Sequence, residues 1–178
     1  MLPELADILV RAQDLQNLSP VPVLRFAFLF CGMAASDEMV AQTASSALKR
    51  LRMDNATIHS VHKLLMHRSC LLEPTERCLL YLLNRLETDL IYNHVRIQSV
   101  LHPEYDTVAI LELLDKLIES GACYRIQDLC NDGEDLIALG FFPGPIIGDT
   151  LRQLLMMVMD GLCPNDRASL LQAAIKYK

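Results

Sequence analysis

Apolar residues recur every three or four positions in one stretch of this chain after another. Leu5, Ile8, Leu9, Ala12 and Leu15 do so, then Val40, Ala44, Ala47, Leu48 and Leu51, then Ile58, Val61, Leu64 and Leu65, then Leu79, Leu82, Leu83 and Leu86. A helix of 3.6 residues per turn puts such positions on one face. Leu, Ala, Ile and Met dominate over Val, Thr and Tyr, and Trp is absent, so helix formers outweigh strand formers. With 52% hydrophobic and 21% charged residues there is enough apolar surface to bury a core and too little polarity for a disordered chain. The expected fold class is all-α: a bundle of about eight to ten helices with a helix-turn-helix-like tail. At 178 residues the chain makes one domain or at most two small ones, which excludes a large multidomain enzyme.

Punctuation places the helices. Pro3 suits the first turn of a helix over residues 3–15, and the Ser19-Pro20-Val21-Pro22 stretch ends it. Residues 23–33 are almost wholly apolar and therefore central in the core. Asp37 is the expected N-cap of a helix through Arg52, and Asp54 of the next, through Arg68. Pro74 opens another, Thr88 or Asp89 one that runs to Val100, and Asp106 one stopped by Gly121. Residues 124–131 carry no clear pattern. Residues 133–139 make two turns closed by Gly140, Pro145 starts a long helix ending at Gly161, and Asn165 is the expected cap of a last helix through Ala174. The weak point near residues 101–106 divides the chain into a helical neck and body, 1–100, and a helical tail, 101–178.

Lys and Arg total 16 against 22 Asp and Glu, a net charge of −6, so no global field draws in a polyanion. The distribution is uneven: residues 49–100 carry 8 basic and 5 acidic side chains, residues 101–178 carry 6 and 12. Six cysteines form no CxxC pair and read as reduced thiols of a cytoplasmic protein. No apolar run approaches the roughly 20 residues of a membrane span, so no membrane partner is expected.

Within the basic third, Lys49, Arg50, Arg52, Lys63 and Arg68 stand against Asp54 alone between residues 49 and 68. Such a stripe suits phosphate contacts that position a nucleic-acid backbone without reading its sequence, and its ordinary alternative is a solvated helix face. His59, His62 and His67 fall at i, i+3 and i+8 on the same segment. With no carboxylate or thiol at a supporting spacing, an exposed polar or phosphate-facing surface is favoured over zinc. In the tail, Gly140, Gly144 and Gly148 surround a Pro-Gly-Pro turn, with Gly148 expected to admit close packing on the first turn of the following helix. Helix, tight turn and helix aim backbone N–H groups at an anion, although a plain helix connection has the same pattern. Met156, Met157 and Met159 suggest an adaptable groove, with two of the three expected to face the core.

The order of residues in the tail goes further. Asp135, Leu136, Ile137, Leu139, Gly140, Pro143, Gly144, Pro145, Ile147, Gly148 and Leu151, followed by Asp160, Gly161, Pro164, Asn165, Leu170, Leu171 and Ala174, resemble the C-terminal region of bacterial tRNA nucleotidyltransferases of the CCA-adding and poly(A) polymerase family. Upstream, Lys49-Arg50-Leu51-Arg52-Met53-Asp54-Asn55 resembles the family's basic helix end, and Met1-Leu2-Pro3-Glu4-Leu5 the segment after its neck. The resemblance implies tRNA as partner, held at its acceptor arm and elbow, with Lys49, Arg50, Arg52, Lys63, Arg68, Gly140, Gly144 and Gly148 as the RNA-contacting set.

Two departures limit what the resemblance implies. The family's chemistry sits in a head where a Gly-rich turn precedes a D-x-D pair holding two metal ions. No such head is recognised, and Asp132-Gly133-Glu134 stands in a loop beside a helix instead. Leu24, Arg25, Ala27 and Leu29 match the frame of the HD phosphohydrolase module that many relatives insert, yet Cys31 and Gly32 occupy the His-Asp positions. The expectation is a chain without catalytic or metal-binding residues and without a cofactor of its own; Mg and CTP or ATP would belong to the head. The alternative is a non-catalytic helical scaffold docking to a separate nucleotidyltransferase head.

Overall fold

A computed structural model describes residues 15–178, and the described residues form nine α-helices and no strand, as the all-α reading requires. The helix expected over residues 3–15 lies, but for its last residue, outside the described part. In chain order the helices are α1 (Pro22–Cys31), α2 (Asp37–Arg50), α3 (Asn55–Met66), α4 (Glu76–Arg85), α5 (Thr88–Leu101), α6 (Thr107–Glu119), α7 (Gly133–Ala138), α8 (Pro145–Met159) and α9 (Arg167–Ala174). They form two compact units. The first takes the chain up to Glu73 together with Leu86–Leu111, the second Pro74–Arg85 together with Glu112–Lys178.

In the first unit α1, α2 and α3 pack on one another, with α5 against α1 and α3. Leu24 and Phe28 of α1, Val40, Ala44 and Leu48 of α2, Val61 and Leu65 of α3 and Ile91 and Val95 of α5 are buried, following the spacing read from the sequence. Ser36, not Asp37, caps α2: its hydroxyl accepts from the Met39 N–H at 3.3 Å, because the Asp37 carboxylate is engaged elsewhere. Asp37 and Glu38 stand in the first turn of α2 and Lys49 and Arg50 in its last, each sign at the end the helix dipole favours. Asp54 caps α3 as expected, accepting from the Thr57 N–H at 2.8 Å and the Thr57 hydroxyl at 2.7 Å.

In the second unit α8 lies against α4, α7 and α9 around a core that includes Leu136, Phe141, Leu154, Leu155, Met159 and Leu170. Met159 is buried there and Met157 packs on its edge, while Met156 is exposed. Residues 124–131 contain a single 3-10 turn, Ile126–Asp128. Asn165 does not cap α9. Its amide accepts from the Cys130 N–H at 3.0 Å and donates to the Asp128 carbonyl at 2.8 Å, and Asp166 caps the helix, accepting from Ser169 N–H at 2.9 Å. An amide both donates and accepts, which suits a bridge between two backbone groups; a carboxylate only accepts, which suits a cap.

Candidate nucleic-acid interface

The basic residues read from the sequence divide between the two ends of the α2–α3 hairpin. Lys49 and Arg50 close α2, and the four residues to the start of α3 make a tight reversal. The reversal is a Schellman motif: Arg52 N–H donates to the Lys49 carbonyl at 3.0 Å and Met53 N–H to the Leu48 carbonyl at 3.1 Å. Arg52 sits at the position where a left-handed backbone is needed, with φ of 55°, and is the only non-glycine residue of positive φ among the described residues. Glycine or asparagine ordinarily fills that position. Lys49, Arg50 and Arg52 are exposed, and no acidic side chain among the described residues pairs with them. The one carboxylate nearby in sequence, Asp54, is committed to Thr57, whose backbone and hydroxyl hydrogen bonds hold it below the usual carboxylate range.

Lys63 lies further along α3 and pairs with Glu87, the residue before α5, at 3.2 Å. Arg68 stands at the opposite end of the hairpin, next to the first turn of α2 and separated from Arg50 by the length of that helix, about 20 Å at 1.5 Å per residue. Its side chain is only 12% exposed. Nε donates to Asp37 at 2.8 Å, Nη1 to the carbonyls of Cys31 and Met33 at 2.7 and 2.9 Å, and Nη2 to the Ala35 carbonyl. Arg68 is thus a clamp on the C-terminal end of α1, at the Cys31-Gly32 step where the resemblance puts a His-Asp pair. Among the described residues no three His, Cys, Asp or Glu side chains come together as metal ligands. His62 faces Ser45, Nδ1 to Oγ 3.1 Å, and His59 is exposed beside it on α3.

The glycines of the tail are not equivalent. Gly140 ends α7 in a second Schellman motif with φ of 94°, its N–H donating to Ile137 at 2.8 Å and the Phe141 N–H to Leu136 at 3.0 Å. A Cβ there would stand 2.7 Å from Nζ of Lys178, which donates to the Leu139 carbonyl. Gly144, with φ of 155°, precedes Pro145 at the start of α8. Gly148 is ordinary helix, and the nearest group to a Cβ is Arg152 Nη2 at 3.7 Å, so the close packing expected there is absent. It occurs instead at Gly133, where a Cβ would meet Ile147 Cγ2 at 3.2 Å.

Two further features of the second unit escaped the sequence reading. Arg77 Nε and Tyr81 hydroxyl converge on Asp160 at 2.8 and 3.1 Å. A cleft of about 770 Å³ opens beside Asn84, Arg125, Gln127 and Asp132, and Asn131 on its wall is 5% exposed with no hydrogen-bond partner for its amide among the described residues. Each depends on a partner remote in the chain, α4 for Asp160 and Asn84 for the segment after α6.

No helix among the described residues is long and apolar enough to cross a membrane. The described residues of both units are built of helices and connecting turns alone. Residues 26–174 match the family model described as "tRNA nucleotidyltransferase domain 2 putative". The match covers most of the chain, which belongs to that family. No curated protein and no solved structure matches it.

Proposed function

We propose that this chain is the tRNA-holding portion of a CCA-adding or poly(A) polymerase-like tRNA nucleotidyltransferase, gripping the acceptor arm and elbow of tRNA by phosphate and shape contacts. The observation that carries the reading is the basic end of the α2–α3 hairpin, where Lys49, Arg50 and Arg52 are exposed and paired with no carboxylate among the described residues, in a protein of net charge −6. Phosphate contacts of this kind fix register on structured RNA without reading bases. Lys63 extends the surface along α3. Arg68 serves by bracing α1 and α2 behind it, and the α7–α8 turn with Gly140 and Gly144 is the part assigned to the elbow.

Fluorescence anisotropy with deacylated tRNA across a salt series tests this, comparing the native chain with one in which Lys49, Arg50 and Arg52 are all changed to Glu. The expected result is tRNA binding whose logarithm falls linearly with log salt, with a shallower slope in the triple variant. Binding no tighter than to a control duplex, or unaffected by the three changes, would remove the hairpin as a site. A second reading, a scaffold docking to a separate head, draws on the apolar tip of the tail, where Phe142 is 85% exposed with Ile137 and Ile146 beside it in the turn region. It expects no tRNA affinity in the isolated chain, and loss of head binding on Phe142→Ser.

A further inference from the structure

A cleft of about 480 Å³ opens on the α2–α3 hairpin, walled by Ser45, Ser46 and Lys49 of α2 and by Asn55, His59 and His62 of α3, with no carboxylate among the described residues on its wall. Gln42 at its rim turns its amide nitrogen to Glu38, 3.2 Å away, so that the nearest acid of α2 is already bonded.

The protons within this cleft can be placed. Ser45 Oγ has one hydrogen and is 2.8 Å from the Ala41 carbonyl, an obligate acceptor. Oγ therefore accepts from His62 Nδ1, 3.1 Å away, so the neutral ring carries its proton on Nδ1 and a lone pair on Nε2. An imidazole fixed in this way offers an acceptor at its opposite edge. Beside it stand an ammonium on Lys49 and amide and hydroxyl donors on Asn55 and Ser46. A bare phosphate uses the donors and leaves Nε2 idle, whereas a ribose phosphate uses both, since its 2′-hydroxyl is the donor that DNA lacks.

We propose that this cleft seats one ribose phosphate of an RNA strand, with the phosphate on Lys49 and the 2′-hydroxyl on Nε2 of His62, and that it gives the hairpin a preference for RNA over strands lacking that hydroxyl. The inference deepens the tRNA-holding reading and rests on it.

The test uses two acceptor-arm hairpins of one sequence, one all-ribose and one with 2′-fluoro sugars, which keep the A-form and the phosphates but cannot donate. The native chain is expected to bind the ribose hairpin about three- to tenfold more tightly, the loss of one hydrogen bond. In His62→Phe that ratio falls to about one while the salt slope is kept, because Lys49 is untouched. A ratio near one in the native chain, or an equal ratio in His62→Phe, overturns the seat and leaves the tRNA reading standing; no binding of either hairpin overturns both. Imidazole nitrogen NMR of the unsubstituted chain needs no variant to fold: Nε2 of His62 must move on adding the ribose hairpin. If adenosine monophosphate alone moves it as far, the cleft takes a free nucleotide and the strand seat is overturned.

Discussion

Arg68 Nε donates to Asp37 Oδ1 at 2.8 Å, tying the segment after α3 to the first turn of α2. The remaining guanidinium N–H groups satisfy carbonyls at the end of α1 and beyond, where the helix dipole favours a cation. Removing the arginine takes the donor from three carbonyls and leaves Asp37 with Ser69 alone, so Arg68→Met is expected to destabilise by about 2–3 kcal/mol. Asp37→Asn keeps an acceptor and is expected to cost about 1–2 kcal/mol. Burial alone would raise the Asp37 carboxyl, yet the hydrogen bonds from Arg68 and Ser69 hold it below its ordinary value. Its contribution is therefore present above the unfolded carboxyl range, about 3.9, and is lost as pH falls through the lowered value. Urea denaturation over a pH series should show an acid limb in the native chain that is smaller in Asp37→Asn, the remainder belonging to other lowered carboxylates such as Asp54.

A second pH dependence belongs to His94. It is 1% exposed, with Nε2 3.3 Å from the Cys70 carbonyl, and burial holds its imidazole down to about 4. The unfolded chain takes up this proton near pH 6.5 and the folded chain only near 4, so stability declines across that window as pH falls. The decline is on the order of 3 kcal/mol. Stability of His94→Gln, measured from pH 7 to 4, is expected to be flat by comparison. An unchanged slope would assign the effect to another group.

The tail glycines give a contrast within one turn. Gly140→Ala forces a Cβ into a left-handed backbone against Lys178, and is expected to destabilise by about 1–2 kcal/mol. Gly148→Ala places a methyl in ordinary contact with the Arg152 guanidinium on a helical backbone, and is expected to leave stability unchanged or raise it by up to about 1 kcal/mol. Thermal melts of the two variants check both signs. Equal destabilisation would mean that Gly148 makes a contact the fold does not explain.

Much of the fold was legible because each helix carries its own period and punctuation: Asp54 caps α3, Pro145 starts α8 and Gly140 closes α7 where the sequence placed them. What was not legible depends on partners remote in the chain. Asp37 reads locally as a cap, and its removal from that role follows from an arginine 31 residues away. Arg68 reads as one more charge in a stripe, whereas helix length carries it to the other end of the hairpin and into contact with α1. The motif that marks the family in the tail proves partly architectural: Asp135 completes a capping box with Asp132 and pairs with Arg167, Asp160 anchors Arg77 and Tyr81, and Asn165 bridges two loops. The Ser45–His62 contact joins two helices and has no local signature.

Arg52 breaks a local rule at the proposed site. Its backbone occupies the left-handed position that ends α2, at a cost of about 1 kcal/mol or more relative to glycine. Strain retained at one surface position points to a side chain that is needed there. Arg52→Gly keeps both hydrogen bonds of the turn and releases the strain. It is expected to raise stability by about 1 kcal/mol, roughly 2–4 °C in Tm for a chain of this size. The same change removes one cation from the RNA-facing end, so tRNA affinity should fall and the log–log salt slope should shrink by about one. Arg52→Lys separates the two effects, keeping the charge and the strained backbone together, with stability and salt slope both near those of the native chain. A stability gain in Arg52→Gly with tRNA affinity unchanged would leave the strained arginine without a part in holding RNA.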